Sequence, residues 1–132
     1  MAPRHESRER ALGLCYELEV RGLDAQSLLA DLPAPPDAYA TELIVGVSSN
    51  LEEIDSLLTQ FSVNWAVERM PSIDRAVLRL GCFELRFVPD VPTAVVISEA
   101  VELAKQYSTK DSGRFVNGLL ARIAESVRAA AV

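Results

Sequence analysis

Apolar residues cover most of the circumference of one predicted helix, and this feature constrains the fold more than any other in the sequence. The helix follows Pro71, with Ser72 as a suitable N-cap. Its apolar residues recur at helical spacing on two adjoining faces: Ile73, Val77, Leu80, Leu78, Cys82 and Leu85. A helix that is apolar over so much of its surface must be surrounded by other elements. We therefore predict that it lies at the centre of the molecule.

Glu84 interrupts the apolar surface of this helix. It lies seven residues after Val77, and therefore on the same face, near the end of the helix. A buried carboxylate requires hydrogen-bond partners, so we predict that Glu84 bonds to an arginine or a tyrosine. Arg75, Arg79 and Arg86 form a cationic strip on the remaining side of the helix.

The same helical period recurs along the rest of the chain. Ser7, Asp24 and Asp37 are suitable N-caps for three helices, and the run Ser48-Ser49-Asn50 predicts a bend between two others. Gly46 is expected to permit the close approach of a neighbouring helix. Strand-like alternation bounded by hairpin signals is absent from the sequence. The pattern predicts an all-α fold of about seven helices.

A chain of 132 residues suits one domain with its own core. We predict a single domain over residues 1–132, with residues 1–6 as a flexible basic tail. Trp65, Val67 and Met70 are expected to form a short apolar turn before the central helix.

The sequence offers little material for catalysis or metal binding. Its single histidine, His5, lies in the predicted tail, and the six glycines are scattered rather than gathered in a phosphate-binding loop. Cys15 and Cys82 each lie within an apolar helical pattern, which favours buried free thiols over a disulfide or a metal site. We expect no catalytic residues, no metal and no cofactor, and a binding protein rather than an enzyme.

Apolar runs such as residues 94–97 are too short to cross a bilayer, and the N-terminus is charged rather than apolar. We expect no membrane partner and a cytoplasmic location.

Charge is distributed unevenly along the chain. The net charge of −6 is the balance of +1 over residues 1–10, −10 over residues 11–102 and +3 over residues 103–132. An acidic body with two mildly basic ends allows the ends to lie together in the fold. The residue types at these ends suit single-stranded RNA, because cations contact phosphates while flat side chains and amides contact bases.

The candidate RNA-contacting cations are Arg4, Arg8, Arg10, Lys110 and Arg114. Phe115 or Tyr16 could stack on a base, and Asn117 carries both a donor and an acceptor for a base edge. The spacing of Phe115 also fits a core residue, and Asn117-Gly118 also fits a tight helix contact, so both interpretations stay open.

Several ordered motifs resemble the NusB family of bacterial transcription antitermination factors. The chain reads ISEAVELAK over residues 97–105 and FVNGLL over residues 115–120, similar to the family signatures INEAVELAK and FVNGVL. Further agreement lies in the first helix around Arg8 and Tyr16, and over residues 73–79. Ser98 stands where the family usually has Asn, and Ala121 where an acidic residue is common.

The resemblance implies an all-α, non-catalytic factor that binds the boxA element of ribosomal RNA leader transcripts. It implies NusE, a small-subunit ribosomal protein, as a partner, and action within an RNA polymerase antitermination complex. The implied RNA-facing residues are the N-terminal arginines with Lys110, Asp111, Arg114, Phe115 and Asn117. The implied NusE-facing residues are Tyr16, Glu68, Asp74 and Glu84.

Two alternatives stay open at the level of sequence. Some family members dimerise, so the chain could be a homodimeric scaffold or interaction module with its RNA surface masked. A NusB-like domain also begins some ribosomal RNA cytosine methyltransferases, although this chain is expected to end after its last helix without a cofactor-binding domain.

Overall fold

A computed structural model describes residues 3–63 and 65–128, and the elements in these ranges are helical. The seven α-helices are α1 (Arg4–Arg21), α2 (Ala25–Asp31), α3 (Ala38–Ser49), α4 (Leu51–Phe61), α5 (Ser72–Phe87), α6 (Thr93–Tyr107) and α7 (Ser112–Arg128). A single 3₁₀ turn, Val67–Arg69, connects α4 to α5. The predicted all-α fold of about seven helices is confirmed.

The central position predicted for α5 is confirmed by its neighbours. This helix contacts α1, α3, α4, α6 and α7. Val77, Leu78 and Leu85 on its apolar faces are almost completely buried, and they belong to one hydrophobic cluster to which all seven helices contribute. Burying apolar side chains of this size stabilises the fold by roughly 1.5–3 kcal/mol each, so α5 organises the packing of the other helices.

The helix ends follow local capping chemistry at two of the predicted positions. The carboxylate of Asp24 accepts a hydrogen bond from the backbone N–H of Ser27 at 2.8 Å, and Asp37 accepts one from the backbone N–H of Ala40 at 3.1 Å. Both predicted N-caps are therefore confirmed. The predicted bend is also found, because α3 ends at Ser49 and α4 begins at Leu51.

Two predictions about the N-terminus are corrected. Helix α1 begins at Arg4, so residues 4–6 form its first turn rather than a flexible tail, while residues 1 and 2 lie outside the described residues. Ser7 is consequently an internal residue of α1 and not its N-cap. Its hydroxyl donates a 2.5 Å hydrogen bond to Asp37, which ties α1 to the start of α3. Ser72 likewise begins α5 without a side-chain capping bond.

Arg128 closes the end of α5, a role that the sequence analysis missed. Its guanidinium donates to the backbone carbonyls of Leu85 at 2.9 Å and Val91 at 2.7 Å, and also to those of Glu84 and Val88. The last carbonyls of a helix lack partners within the helix and carry partial negative charge, so a cation stabilises them. Arg128 therefore fastens the end of α7 to the central helix.

Both cysteines are buried and unpaired, as predicted. Burial raises the pKa of the Cys15 and Cys82 thiols to about 12. Both thiols stay protonated near neutral pH, which suits a packing role rather than a reactive one.

The predicted close approach at Gly46 is confirmed, since a Cβ atom built there would lie 2.2 Å from the ring of Phe83. We predict that Gly46→Ala lowers the free energy of unfolding by about 1–3 kcal/mol, because the ring must shift within a filled core. Gly13→Ala is the matched control, because no atom lies within 4 Å of the added Cβ. There the helix propensity of alanine should raise stability by up to about 1 kcal/mol. Urea unfolding of both variants measures the difference, and equal stabilities would contradict the proposed α3–α5 contact.

Candidate functional site

A buried ionic cluster joins the start of α1 to the end of α5. The guanidinium of Arg8 donates to both carboxylate oxygens of Glu84, with Nε–Oε1 and Nη2–Oε2 distances of 2.9 Å. The Tyr39 hydroxyl, on α3, donates to the same carboxylate at 2.5 Å. Arg8 also donates to Glu99 of α6 at 3.1 Å. The prediction that Glu84 bonds to an arginine or a tyrosine is confirmed, because Arg8 and Tyr39 both donate to its carboxylate.

The electrostatics of this cluster favour the ionised pair. Burial alone would lower the pKa of Arg8, but the hydrogen bonds and the charge of Glu84 raise it overall. The pKa of the Tyr39 hydroxyl is raised, mainly by burial and to a smaller extent by the hydrogen bond to Glu84. Arg8 therefore stays charged and Tyr39 stays a hydrogen-bond donor.

These contacts bury two of the predicted site residues. Arg8 is 5% exposed and Glu84 is 2% exposed. The guanidinium of Arg8 is bonded to two carboxylates, and its contact with RNA stays a prediction. The carboxylate of Glu84 is bonded to Arg8 and Tyr39, and its contact with NusE likewise stays a prediction. In the structure both residues hold α1, α3, α5 and α6 together.

Asp74, near the start of α5, is buried in the same way. It is 1% exposed, and its carboxylate accepts hydrogen bonds from the hydroxyls of Ser108 and of Ser112, the latter at 2.9 Å. The Ser112 hydroxyl in turn accepts a bond from the backbone N–H of Thr109 at 3.2 Å. Asp74 therefore fixes the turn between α6 and α7, and its contact with NusE stays a prediction.

The turn that Asp74 fixes carries exposed polar side chains. Lys110 and Asp111 lie in the turn, and Arg114 and Asn117 lie in the first two turns of α7; all four are exposed. Phe115 is half-buried, and its ring meets that of Trp65 edge-to-face with the centroids 5.0 Å apart. Much of the Phe115 side chain is therefore packed against the protein, as the core interpretation predicts.

The start of α1 lies against α6, close to the same turn. His5 bonds to Glu99 at 3.2 Å, and the hydroxyl of Tyr107, the last residue of α6, donates to Glu9. Arg4 is exposed, with its guanidinium 4.1 Å from the centroid of the Tyr39 ring, and Arg10 is also exposed. These contacts join the two basic ends of the chain through α6, as the charge distribution allows.

The cationic strip predicted along α5 is neutralised by nearby carboxylates. Arg75 bonds to Glu19 of α1, and Arg79 bonds to Asp55 of α4 at 2.8 and 2.9 Å. Arg86 pairs with Glu53 at 3.0 Å. The strip therefore contributes packing and ion pairs between helices, and it does not form a further cationic surface.

Two of the predicted partner-facing residues do lie at the surface. Tyr16, on α1, is 42% exposed, and Glu68, in the 3₁₀ turn, is also exposed.

Within residues 3–63 and 65–128, three or more metal-ligating side chains do not come together. In the same part of the chain, no helix is both long and apolar enough to cross a membrane.

The helices packed around α5 define a small all-α protein of the helical-bundle class. The NusB family model matches residues 5–125. The transcription antitermination protein NusB of Saccharopolyspora erythraea is 50% identical over 131 residues, which span 94% of this chain and 88% of that protein. The chain therefore belongs to the NusB family.

Solved structures agree with this assignment. NusB of T. maritima has a TM-score of 0.83 and 39% identity, covering 94% of this chain and 92% of that one. A crystal structure of the antitermination factors NusB and NusE in complex with dsRNA contains a chain with a TM-score of 0.79 and 29% identity, covering 93% of this chain and 96% of that one.

The Arg8–Glu84 pair can be tested through stability. We predict that Glu84→Ala lowers the free energy of unfolding by about 3–5 kcal/mol, because it leaves Arg8 charged and poorly compensated in a buried position. Glu102→Ala, which removes an exposed carboxylate from α6, should change stability by less than about 0.5 kcal/mol. Urea unfolding monitored by circular dichroism gives both values. A loss below 1 kcal/mol for Glu84→Ala would contradict the structural role.

Proposed function

We propose that this chain is a transcription antitermination factor that binds boxA RNA of ribosomal RNA leader transcripts together with NusE. In this function it promotes processive elongation as part of an RNA polymerase antitermination complex. The observation that carries the proposal is the exposed turn at Lys110 and Arg114, held by Asp74 on the same side as the arginine-bearing start of α1. Membership of the NusB family supports it.

The proposed direct RNA contacts are the exposed residues of this region: Arg4, Arg10, Lys110, Asp111, Arg114 and Asn117. The four cations contact phosphates, which position the strand, and Asn117 offers both a donor and an acceptor to a base edge. Arg8 acts indirectly by fixing the first turns of α1. Four phosphate contacts give a slope of about −3 for log K against log salt concentration, so RNA affinity is modest and sensitive to salt.

NusE is the proposed protein partner. The net charge of −10 over residues 11–102 suits a basic protein, and Tyr16 and Glu68 remain exposed candidates for the contact. A bound basic partner neutralises part of the acidic body and reduces its repulsion of RNA. The NusB of the related complex was crystallised with NusE and RNA, which supports this pairing.

The proposed role is non-catalytic and needs neither a metal nor a cofactor. It places the chain in the bacterial cytoplasm, where transcription occurs.

A homodimer that masks the RNA surface stays a prediction, and light scattering over a range of concentrations tests it.

The central experiment is a titration of boxA RNA, and of a scrambled oligomer of the same composition, with and without NusE. We expect boxA to bind more tightly than the scrambled RNA, and NusE to increase the difference. With four phosphate contacts, the affinity of the chain alone should fall roughly 50-fold between 50 and 200 mM salt. Equal binding of both RNAs in the presence of NusE would contradict the proposed function.

Arg114→Ala is the sharpest test of the RNA surface. Removing this exposed cation should weaken boxA binding several-fold and reduce the salt slope by about 1, without loss of thermal stability. Arg21→Ala is the matched control, because it removes an exposed arginine near the far end of α1 and should leave RNA binding unchanged. Equal effects of the two variants would mean that charge alone, and not the position of Arg114, controls binding.

A further inference from the structure

Trp65 is a large aromatic residue that lies outside every role described above. The sequence predicts an apolar turn that contains Trp65, Val67 and Met70, and the last two residues are buried. Trp65 is instead 43% exposed, in the connection between α4 and the 3₁₀ turn. A partly exposed indole contributes less to core stability than a buried one. Packing alone therefore does not explain why a tryptophan lies at this position.

The local structure holds Trp65 in place. The Ser62 hydroxyl donates a 2.6 Å hydrogen bond to the backbone carbonyl of Trp65. On the other side, its ring contacts Phe115 of α7 with an interplanar angle of 74°. In an edge-to-face pair at most one face of the indole is covered by the neighbour, so at least one face of Trp65 is not covered by Phe115.

The charge around this pair is favourable for RNA. Arg114 precedes Phe115 on α7 and is exposed. Arg122 lies seven residues after Phe115, on the same face of α7, and its Nε donates to the carbonyl of Phe61 at 3.1 Å, close in the chain to Trp65. Glu68 is the nearest exposed carboxylate along the chain. Cations beside an accessible aromatic face are the combination that single-stranded nucleic acid requires.

We propose that Trp65 is the aromatic residue on which an unpaired base of the bound RNA stacks, and that Phe115 supports it from beneath. This inference rests on the proposed RNA binding and extends its surface from the Lys110–Arg114 turn to the α4–α5 connection. In this proposal Phe115 acts mainly as a packing residue. The half-buried ring of Phe115 sets the position of Trp65, and the indole offers the stacking face.

Trp65 is the single tryptophan of the chain, so its fluorescence reports on this position alone. Saturating boxA RNA, added to the complex of the chain with NusE, should quench a signal that the Trp65→Phe complex lacks. Subtracting the fluorescence of the Trp65→Phe complex from that of the unaltered complex removes any contribution from NusE. An unchanged difference signal at saturation would overturn the proposal.

Affinity gives an independent measurement. Trp65→Leu keeps an apolar side chain but removes the stacking face, and it should weaken boxA binding by about 5- to 150-fold. Trp65→Phe should lose less, because it keeps an aromatic ring. Val20→Ala, at an exposed apolar position of α1, is the control and should bind like the unaltered chain. Thermal unfolding of each variant confirms that the fold is intact.

The outcomes separate this inference from the proposed function. Unaltered affinity of Trp65→Leu, with boxA still preferred over the scrambled RNA, would overturn the role of Trp65 and leave the proposed function standing. Absence of any boxA preference in the unaltered complex would overturn both. Quenching by NusE without RNA, together with weaker NusE binding by Trp65→Leu, would assign Trp65 to the protein partner and overturn its contact with RNA.

Discussion

The bond between Arg8 and Glu84 joins residues 76 positions apart in the chain, and the arrangement of the basic surface depends on it. Removing two charges from water costs several kcal/mol per ion, and this cost is offset only when the hydrogen-bonding capacity of both groups is used. Here the two parallel bonds of the guanidinium, the Tyr39 hydroxyl and Glu99 supply the partners. Four helices therefore meet at one cluster, and the start of α1 has a fixed position relative to α6.

The central helix uses a buried carboxylate near each of its ends. Glu84 fixes the arginine-bearing start of α1, and Asp74 fixes the turn that carries Lys110. The two carboxylates are ten residues apart, which corresponds to about 15 Å along a helix. Two exposed basic segments that are distant in sequence are thus held at a defined separation by one rigid element. Pre-positioned cations lose less entropy on binding than mobile ones, which favours a defined register of the strand.

Local features of this fold could be predicted from the sequence, whereas its long-range polar contacts could not. Asp24 and Asp37 were identifiable as caps because a cap bonds to a backbone within three residues. The need of Glu84 for a partner followed from its place on an apolar face. Nothing local indicated that Arg8 was that partner, or that Arg128 closes α5, because a buried arginine and a solvated one have the same sequence signature. The burial of Asp74 was missed for the same reason.

The distribution of paired charges explains how an acidic protein can present a basic surface. The cations of α5 are engaged by Glu19, Asp55 and Glu53, so the body retains an excess of carboxylates that repels RNA. Screening limits this repulsion to a range of about 8–10 Å at physiological salt, so it acts along the edge of the basic region and not across it. In the proposed function, RNA is thereby confined to the side of the molecule that carries the start of α1 and the α6–α7 turn. In the proposed function, a basic partner docked on the acidic body removes the repulsion along that edge and lengthens the path open to the strand.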